Sequence, residues 1–295
     1  MLADVFENGE SIRKYCLQNQ ITIAEAMQRR EEYLSERSRE EIRAEMYKNL
    51  VVMRESVRKG LSERVESVSG LSGGEAMRLF RYGKLNPFSG TNACRAAASA
   101  MAVVEVNASM GCIVAAPTAG ASGILPGVLI ECGHDRGWTD DQLVDALFTA
   151  GAIGLIFAKN ATISGAGGGC QAETGVAAAM AAAALVEVSG GAAVQALDAA
   201  AMAIKNVLGL VCDPVAGLVE CPCIKRNALG AVNAMICADM ALSGVTSLIP
   251  FDEVVATMYQ VGQDIRPEYR ETAKGGLAVT PTGQKVAARL KRMQD

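Results

Sequence analysis

Histidine is nearly missing from this chain: His134 is the single example among 295 residues. A serine–histidine–aspartate triad or a histidine-based metal site needs imidazole at its centre. His134, in the polar stretch ECGHDRGW, reads instead as a surface or structural residue. Aromatic residues are also few, at 4%, which argues against a β-sandwich rich in Tyr, Phe, Trp and Thr. Charge is close to balanced, with a net −4 and a pI near 5.3, so no nucleic-acid or acidic-membrane footprint is visible. The longest apolar run, Ala146 to Ala158, falls short of the ~20 residues a bilayer requires and reads as a buried helix. The opening MLADVFENGE is acidic and lacks an apolar segment, so no signal peptide is expected. No P-loop Lys-Ser/Thr follows the glycine-rich stretch, and no G-x-G-x-x-G joins a strand to a helix.

What is present is alanine, glycine and aliphatic bulk. Half of the residues are apolar, and 30 are glycine. Residues 22–66 read as charged amphipathic helix, with Thr22 and Glu25 at capping-box spacing. Met46, Leu50, Met53, Val57, Leu61 and Val65 form an apolar stripe on it, suited to packing on the chain's own body or on a partner subunit. SVSGLSGGEA, 67–76, is a small-residue break and the best domain boundary, dividing an amphipathic arm at 1–69 from an Ala/Gly-rich helical domain at 70–295. Beyond it, NACRAAASAMAVVEVNASMG, TDDQLVDALFTAGAIGLIFAKN, ETGVAAAMAAAALVEVSGG and AAVQALDAAAMAIKNVLGLV all read as helices. Several are apolar nearly all round, as enclosed helices are. The expected fold is an all-α bundle of apolar Ala/Gly-rich helices with a charged N-terminal helical arm.

Nine cysteines in a chain of cytoplasmic character should be reduced. Cys16, Cys94, Cys112, Cys132 and Cys237 read as buried space-filling thiols. Cys170, Cys212 and Cys223 differ, because each stands at an irregular turn: after the glycines of SGAGGGCQAETG, at the break LGLVCDPVAG, and in ECPCIKRN. A thiol at a helix start is pushed toward thiolate, the metal-binding form. Their spacing matches no local ferredoxin or zinc pattern, and Cys221 stands beside Cys223 as an alternative.

Four long blocks carry a resemblance: EVNASMGCIVAAPTAGASGILPGVL, SGAGGGCQAETGVAAAMAAAALVE, LGLVCDPVAGLVECPCIKRNALGAVNA and RPEYRETAKGGLAVTPTG. Together, over roughly residues 70 to 285, they resemble the alpha chain of iron–sulfur-dependent L-serine dehydratase. The resemblance implies a [4Fe–4S] cluster on Cys170, Cys212 and Cys223, with Cys221 as the alternative third ligand. It implies that L-serine, bound through its hydroxyl to an iron free of protein thiolate, loses water to give pyruvate and ammonia. On this reading the glycines let the backbone come close to a bulky group and leave N–H groups free to face it. Thr118 and Ser122, in APTAGASG, are candidate carboxylate binders or local turn caps. Arg270 and Lys274 are further cationic candidates, and Lys84, in RYGKLNPFSG, is a weak candidate for the Cα base. Family members add a smaller domain with a serine- and histidine-containing motif. No S-S-H-T-like sequence occurs here, which points to a beta chain as partner. The competing readings are a cluster-dependent L-cysteine desulfidase, a pyridoxal-phosphate dehydratase and a helical scaffold whose thiols merely pack.

Overall fold

The computed structural model describes residues 6–294, and among them it contains thirteen α-helices and no strand. The all-α expectation holds. In chain order the helices are α1 (Gly9–Asn19), α2 (Ile23–Ser35), α3 (Arg39–Ser62), α4 (Glu75–Tyr82), α5 (Thr91–Ala108), α6 (Ile124–Arg136) and α7 (Asp140–Asn160). They continue as the single turn α8 (Gly165–Gly168), α9 (Val176–Val188), α10 (Ala193–Lys205), α11 (Cys223–Leu242), α12 (Phe251–Asp264) and α13 (Pro281–Gln294).

Helix α9 is the axis of the molecule. Every residue from Val176 to Val186 is buried, because α6, α7, α10 and α11 surround it. Alanine on all sides is what permits this, since its single methyl lets neighbouring backbones approach closely. The same logic sets the crossing of α5 and α6, where a Cβ on Gly127 would lie 2.6 Å from the Ala100 nitrogen. Helix α7 has the length and composition to cross a membrane, yet Leu143, Phe148, Ile153 and Phe157 on it are at most 3% exposed within the fold. Core burial accounts for its apolarity.

The charged region 22–66 is two helices rather than one. Glu36 adopts a left-handed conformation (φ 56°) that ends α2, and Ser38 restarts the chain. Ser38 and Glu41 form the reciprocal capping box of α3. Thr22 does accept the Glu25 N–H at 3.0 Å, but the Glu25 carboxylate turns to Arg29 and Arg39 instead of closing a box. In the α3 stripe, Leu50, Met53 and Val57 are buried against the chain's own α5 and α7. One hydrophobic cluster runs from Phe6 and Ile12 through α7 and α9 to Met258, so packing continues across the compositional boundary near residue 70.

Candidate functional site

Four turns meet at one end of α9 and α11, and buried polar side chains join them. Gln171 donates from Nε2 to the Met258 carbonyl (2.9 Å) and accepts the Gly209 N–H at Oε1 (2.9 Å), while its own N–H donates to Leu210 O (3.0 Å). This fixes the Cys170 turn against the loop leading to Cys212. Arg226, on the first turn of α11, donates to Val211 O (2.8 Å) and Asp213 Oδ1 (2.9 Å), holding the Cys212 turn from the other side. Cys212 also pairs its backbone with the 269–271 segment: its N–H donates to Tyr269 O (2.8 Å), and its carbonyl accepts from Glu271 N (2.7 Å). Asn227 accepts the Gly123 N–H (3.0 Å) and donates to the carbonyls of Gly120 (2.7 Å) and Cys223 (2.9 Å), tying APTAGASG to the start of α11.

The glycines beside Cys170 serve close approach. A Cβ on Gly165 would sit 2.6 Å from Glu173 Oε2 and 3.0 Å from Cys212 Sγ. Gly169 adopts φ +77° and packs on the Leu210 carbonyl. Three of the four glycine N–H groups expected to be free are engaged within the turn. Gly167 and Gly168 donate to Ser164 O, and Gly169 donates to Gly165 O, which closes the short turn α8 on itself.

Cys170, Cys212 and Cys223 are all buried, at 3%, 2% and 8% exposure. Cys170 is held down to about 6: hydrogen bonding with the Cys212 thiol is the largest influence, the Thr174 hydroxyl (3.1 Å) and the Arg226 charge add to it, and burial opposes. Cys212 is driven strongly upward by the same neighbour, because two adjacent buried thiols do not both ionise in the absence of a cation. Cys223 is pushed up to about 12 by burial, then by the charges of Cys170 and Glu173, so it belongs to the same electrostatic cluster. Glu173 sits in the π turn Gln171–Gly175, a type of helix defect common at functional sites. Its carboxyl is raised to about 7, chiefly by burial, while the Thr118 hydroxyl donates to its Oε1 at 2.8 Å. Cys212 Sγ lies 3.8 Å from its Oε2. Glu173, Cys212 and Glu271 bring their ligand atoms within 4.8 Å of one another, a geometry able to hold a metal ion.

The remaining sequence candidates fall in different places. Thr118 enters the cluster through Glu173, whereas Ser122 is buried and donates to Ala119 O (2.8 Å) as a local cap. Arg270 is half-buried in the segment paired with Cys212; Lys274 and Lys84 are exposed, and Lys84 stands on the turn after α4. Cys221 is exposed, two residues from buried Cys223. Cys112, expected to be buried, is exposed, because the chain after α5 runs extended along the surface from Gly111 to Ala115. His134 lies exposed in the last turn of α6. Sequence reasoning missed Glu173, Gln171, Arg226 and Asn227. The only available signal was that each follows Cys170 or Cys223 within four residues, and so lies on the same turn of chain.

A model of the family described as serine dehydratase alpha chain matches residues 18–278. The chain is 49% identical over 287 residues to a probable L-serine dehydratase alpha chain of Bacillus subtilis, covering 97% of this chain and 95% of that one. It is 46% identical over 283 residues to the L-serine dehydratase alpha chain of Peptoniphilus asaccharolyticus, with 96% and 97% covered. An L-serine dehydratase of Streptomyces coelicolor is 50% identical over 182 residues, which are 61% of this chain but 40% of that longer one. With a family model spanning most of its length and two relatives matched almost end to end, this chain belongs to the serine dehydratase alpha chain family.

Proposed function

We propose that the chain is the alpha subunit of a cytoplasmic L-serine dehydratase, a lyase that converts L-serine to pyruvate and ammonia, and that Cys170, Cys212 and Cys223 hold a [4Fe–4S] cluster. The observation that carries this reading is that three buried thiols on turns far apart in sequence influence one another: Cys170 hydrogen-bonds with Cys212, Cys223 feels the charge of Cys170, and Glu173 lies beside Cys212. Thiolates are the donors such clusters take. Of the three, only Cys170 ionises readily by itself, so a cationic centre is what would draw off the other protons and settle the charge. Held by Cys170, Cys212 and Cys223, such a cluster would supply Lewis-acid polarisation of a substrate hydroxyl.

The residues of the chain do the rest. Glu173 Oε2, beside Cys212 Sγ, is a place to hold a proton close to neutral pH, and Thr118 fixes the carboxyl group's orientation through Oε1. Arg226 is committed to Val211 and Asp213, so it stiffens the Cys212 turn and leaves the substrate carboxylate to other groups. The matched segment is well under half of the Streptomyces protein. We assign part of the substrate pocket to a separate beta chain, since the relatives matched almost end to end are named alpha chains.

Anaerobic iron and sulfide analysis, with and without a co-expressed beta chain, tests the proposal. Cys170→Ser, Cys212→Ser and Cys223→Ser should each lose colour, iron and turnover, while Cys221→Ser and Cys16→Ser keep all three. Wild-type protein without iron would sink the cluster. Iron lost from Cys221→Ser but kept by Cys223→Ser would move the third ligand.

A further inference from the structure

SVSGLSGGEA has the composition of a loose boundary, yet it is tied down along its length. Ser67 N donates to Ser72 O (3.0 Å), Ser72 N donates to Ser67 Oγ (3.3 Å), and Leu71 N donates to Ser69 Oγ (3.1 Å). Val68 N donates to Ala108 O (3.1 Å) at the end of α5. Glu105, fully buried on α5, accepts the N–H groups of Gly74 (3.1 Å), Glu75 (2.8 Å) and Ala76 (3.1 Å).

So anchored, the turn aims two hydroxyls at one carboxylate. Ser69 donates to Glu220 Oε1 at 2.6 Å, and Ser72 donates to Oε2. Glu220 is only 5% exposed, and among the described residues no lysine or arginine pairs with it, so those hydroxyls are its answer to burial. Its own carbonyl accepts the Ile224 N–H (3.0 Å) in the first turn of α11. Two residues beyond Cys223, Lys225 pairs with Glu75 from the same loop. The 67–76 loop therefore grips the chain on both sides of Cys223.

We infer that the Ser69–Ser72 turn is a positioning device for Cys223, acting through Glu220 to hold the third sulfur in place before a cluster is loaded. The inference rests on Cys223 as a ligand. Ser69 and Ser72 belong to positioning, since their hydroxyls reach Glu220 and not the thiols. Removing both hydroxyls leaves a buried carboxylate with no donor, and the 220–223 segment must then open to water to solvate it. A ligand on a mobile segment binds metal less well, because its ordering must be supplied at loading.

The test uses the full chain freed of iron under anaerobic conditions, in a Cys221→Ser background, with alkylation of Cys223 followed by mass spectrometry. Ser69→Ala/Ser72→Ala should speed alkylation of Cys223 at least about tenfold, the factor expected on losing even one of the two hydrogen bonds to a charged group. Glu220→Gln, which keeps an acceptor for one hydroxyl, should fall between wild type and the double variant. Alkylation of Cys16 and Cys237 should not change, which a general loosening of the fold would not allow. Iron taken up on reconstitution should fall in the order in which alkylation rises. An unchanged Cys223 rate in the double variant, or equal acceleration at all three thiols, overturns the inference. Wild-type protein that takes up no iron overturns the cluster assignment instead, and the alkylation rates then judge the brace by themselves.

Discussion

Gly165 shows how little slack the cysteine pocket has. No side chain fits at this position unless Glu173 and Cys212 move, since a Cβ would come within 2.6 Å and 3.0 Å of them. Gly165→Ala is expected to cost about 1–3 kcal/mol, the usual range for overpacking a tight site, and to displace the two polar groups from each other. Iron bound per chain should drop well below the wild-type value while circular dichroism stays helical. Equal iron content in the two proteins would show that the pocket yields without consequence. At this scale the sequence singles out Cys170, Cys212 and Cys223 by their glycine and proline turns and by the family resemblance, and the structure buries all three. Glu173, Gln171 and Asn227 were not legible in the sequence. A single acid or amide among alanines gives no periodic signal, and its value appears only when the fold brings up its partners, such as Thr118 for Glu173 and Gly123 for Asn227.

Elements in this fold are often capped from a distance by carboxylates on other helices. Glu105 on α5 caps α4, Glu187 on α9 caps α2, and Asp252 on α12 caps α1 through Gly9 N (2.6 Å) and Glu10 N (3.0 Å). Each does the work of an N-cap side chain while joining two elements far apart in sequence. Helices α4 and α5 therefore share their stability. Glu105→Ala should leave three N–H groups without an acceptor and cost about 2 kcal/mol, whereas Glu105→Gln, which keeps one carbonyl, should cost less. Urea denaturation of the two variants checks the order, and equal midpoints would refute the cap. Helix identity was readable from alanine-rich composition and 3.6-residue periodicity, and the four long helices fall where expected. The caps were not, because Gly74 and Ile23 carry no local signal for acceptors supplied by α5 and α9. The break at Glu36 escaped notice for a related reason: charged residues on either side gave the same amphipathic pattern through it.

For the molecule as a whole, Glu187 is the join between the N-terminal helices and the central bundle. It accepts from Ile23 N (2.7 Å), Ala24 N (2.9 Å) and the Thr149 hydroxyl (2.6 Å), linking α2, α7 and α9 at one carboxylate. Burial is the main influence on that carboxyl and holds it above its ordinary range, with Asp145 adding to the shift and the three donors opposing it. The folded chain thus binds this proton more tightly than the unfolded chain does. Its contribution to stability is fully present below the unfolded value, ~4.3, and is lost as pH rises through the higher folded value. Other acids with raised values, buried Glu105 and half-buried Asp198 among them, give a slope of the same sign. That common slope cancels when wild type is compared with Glu187→Gln, which cannot titrate. The difference between their urea midpoints should therefore move in the variant's favour as pH rises from about 5 to about 8. A difference that stays constant over that span would mean that Glu187 carries the same charge in the folded and unfolded chains, so that its hydrogen bonds to α2 contribute no pH-dependent stability.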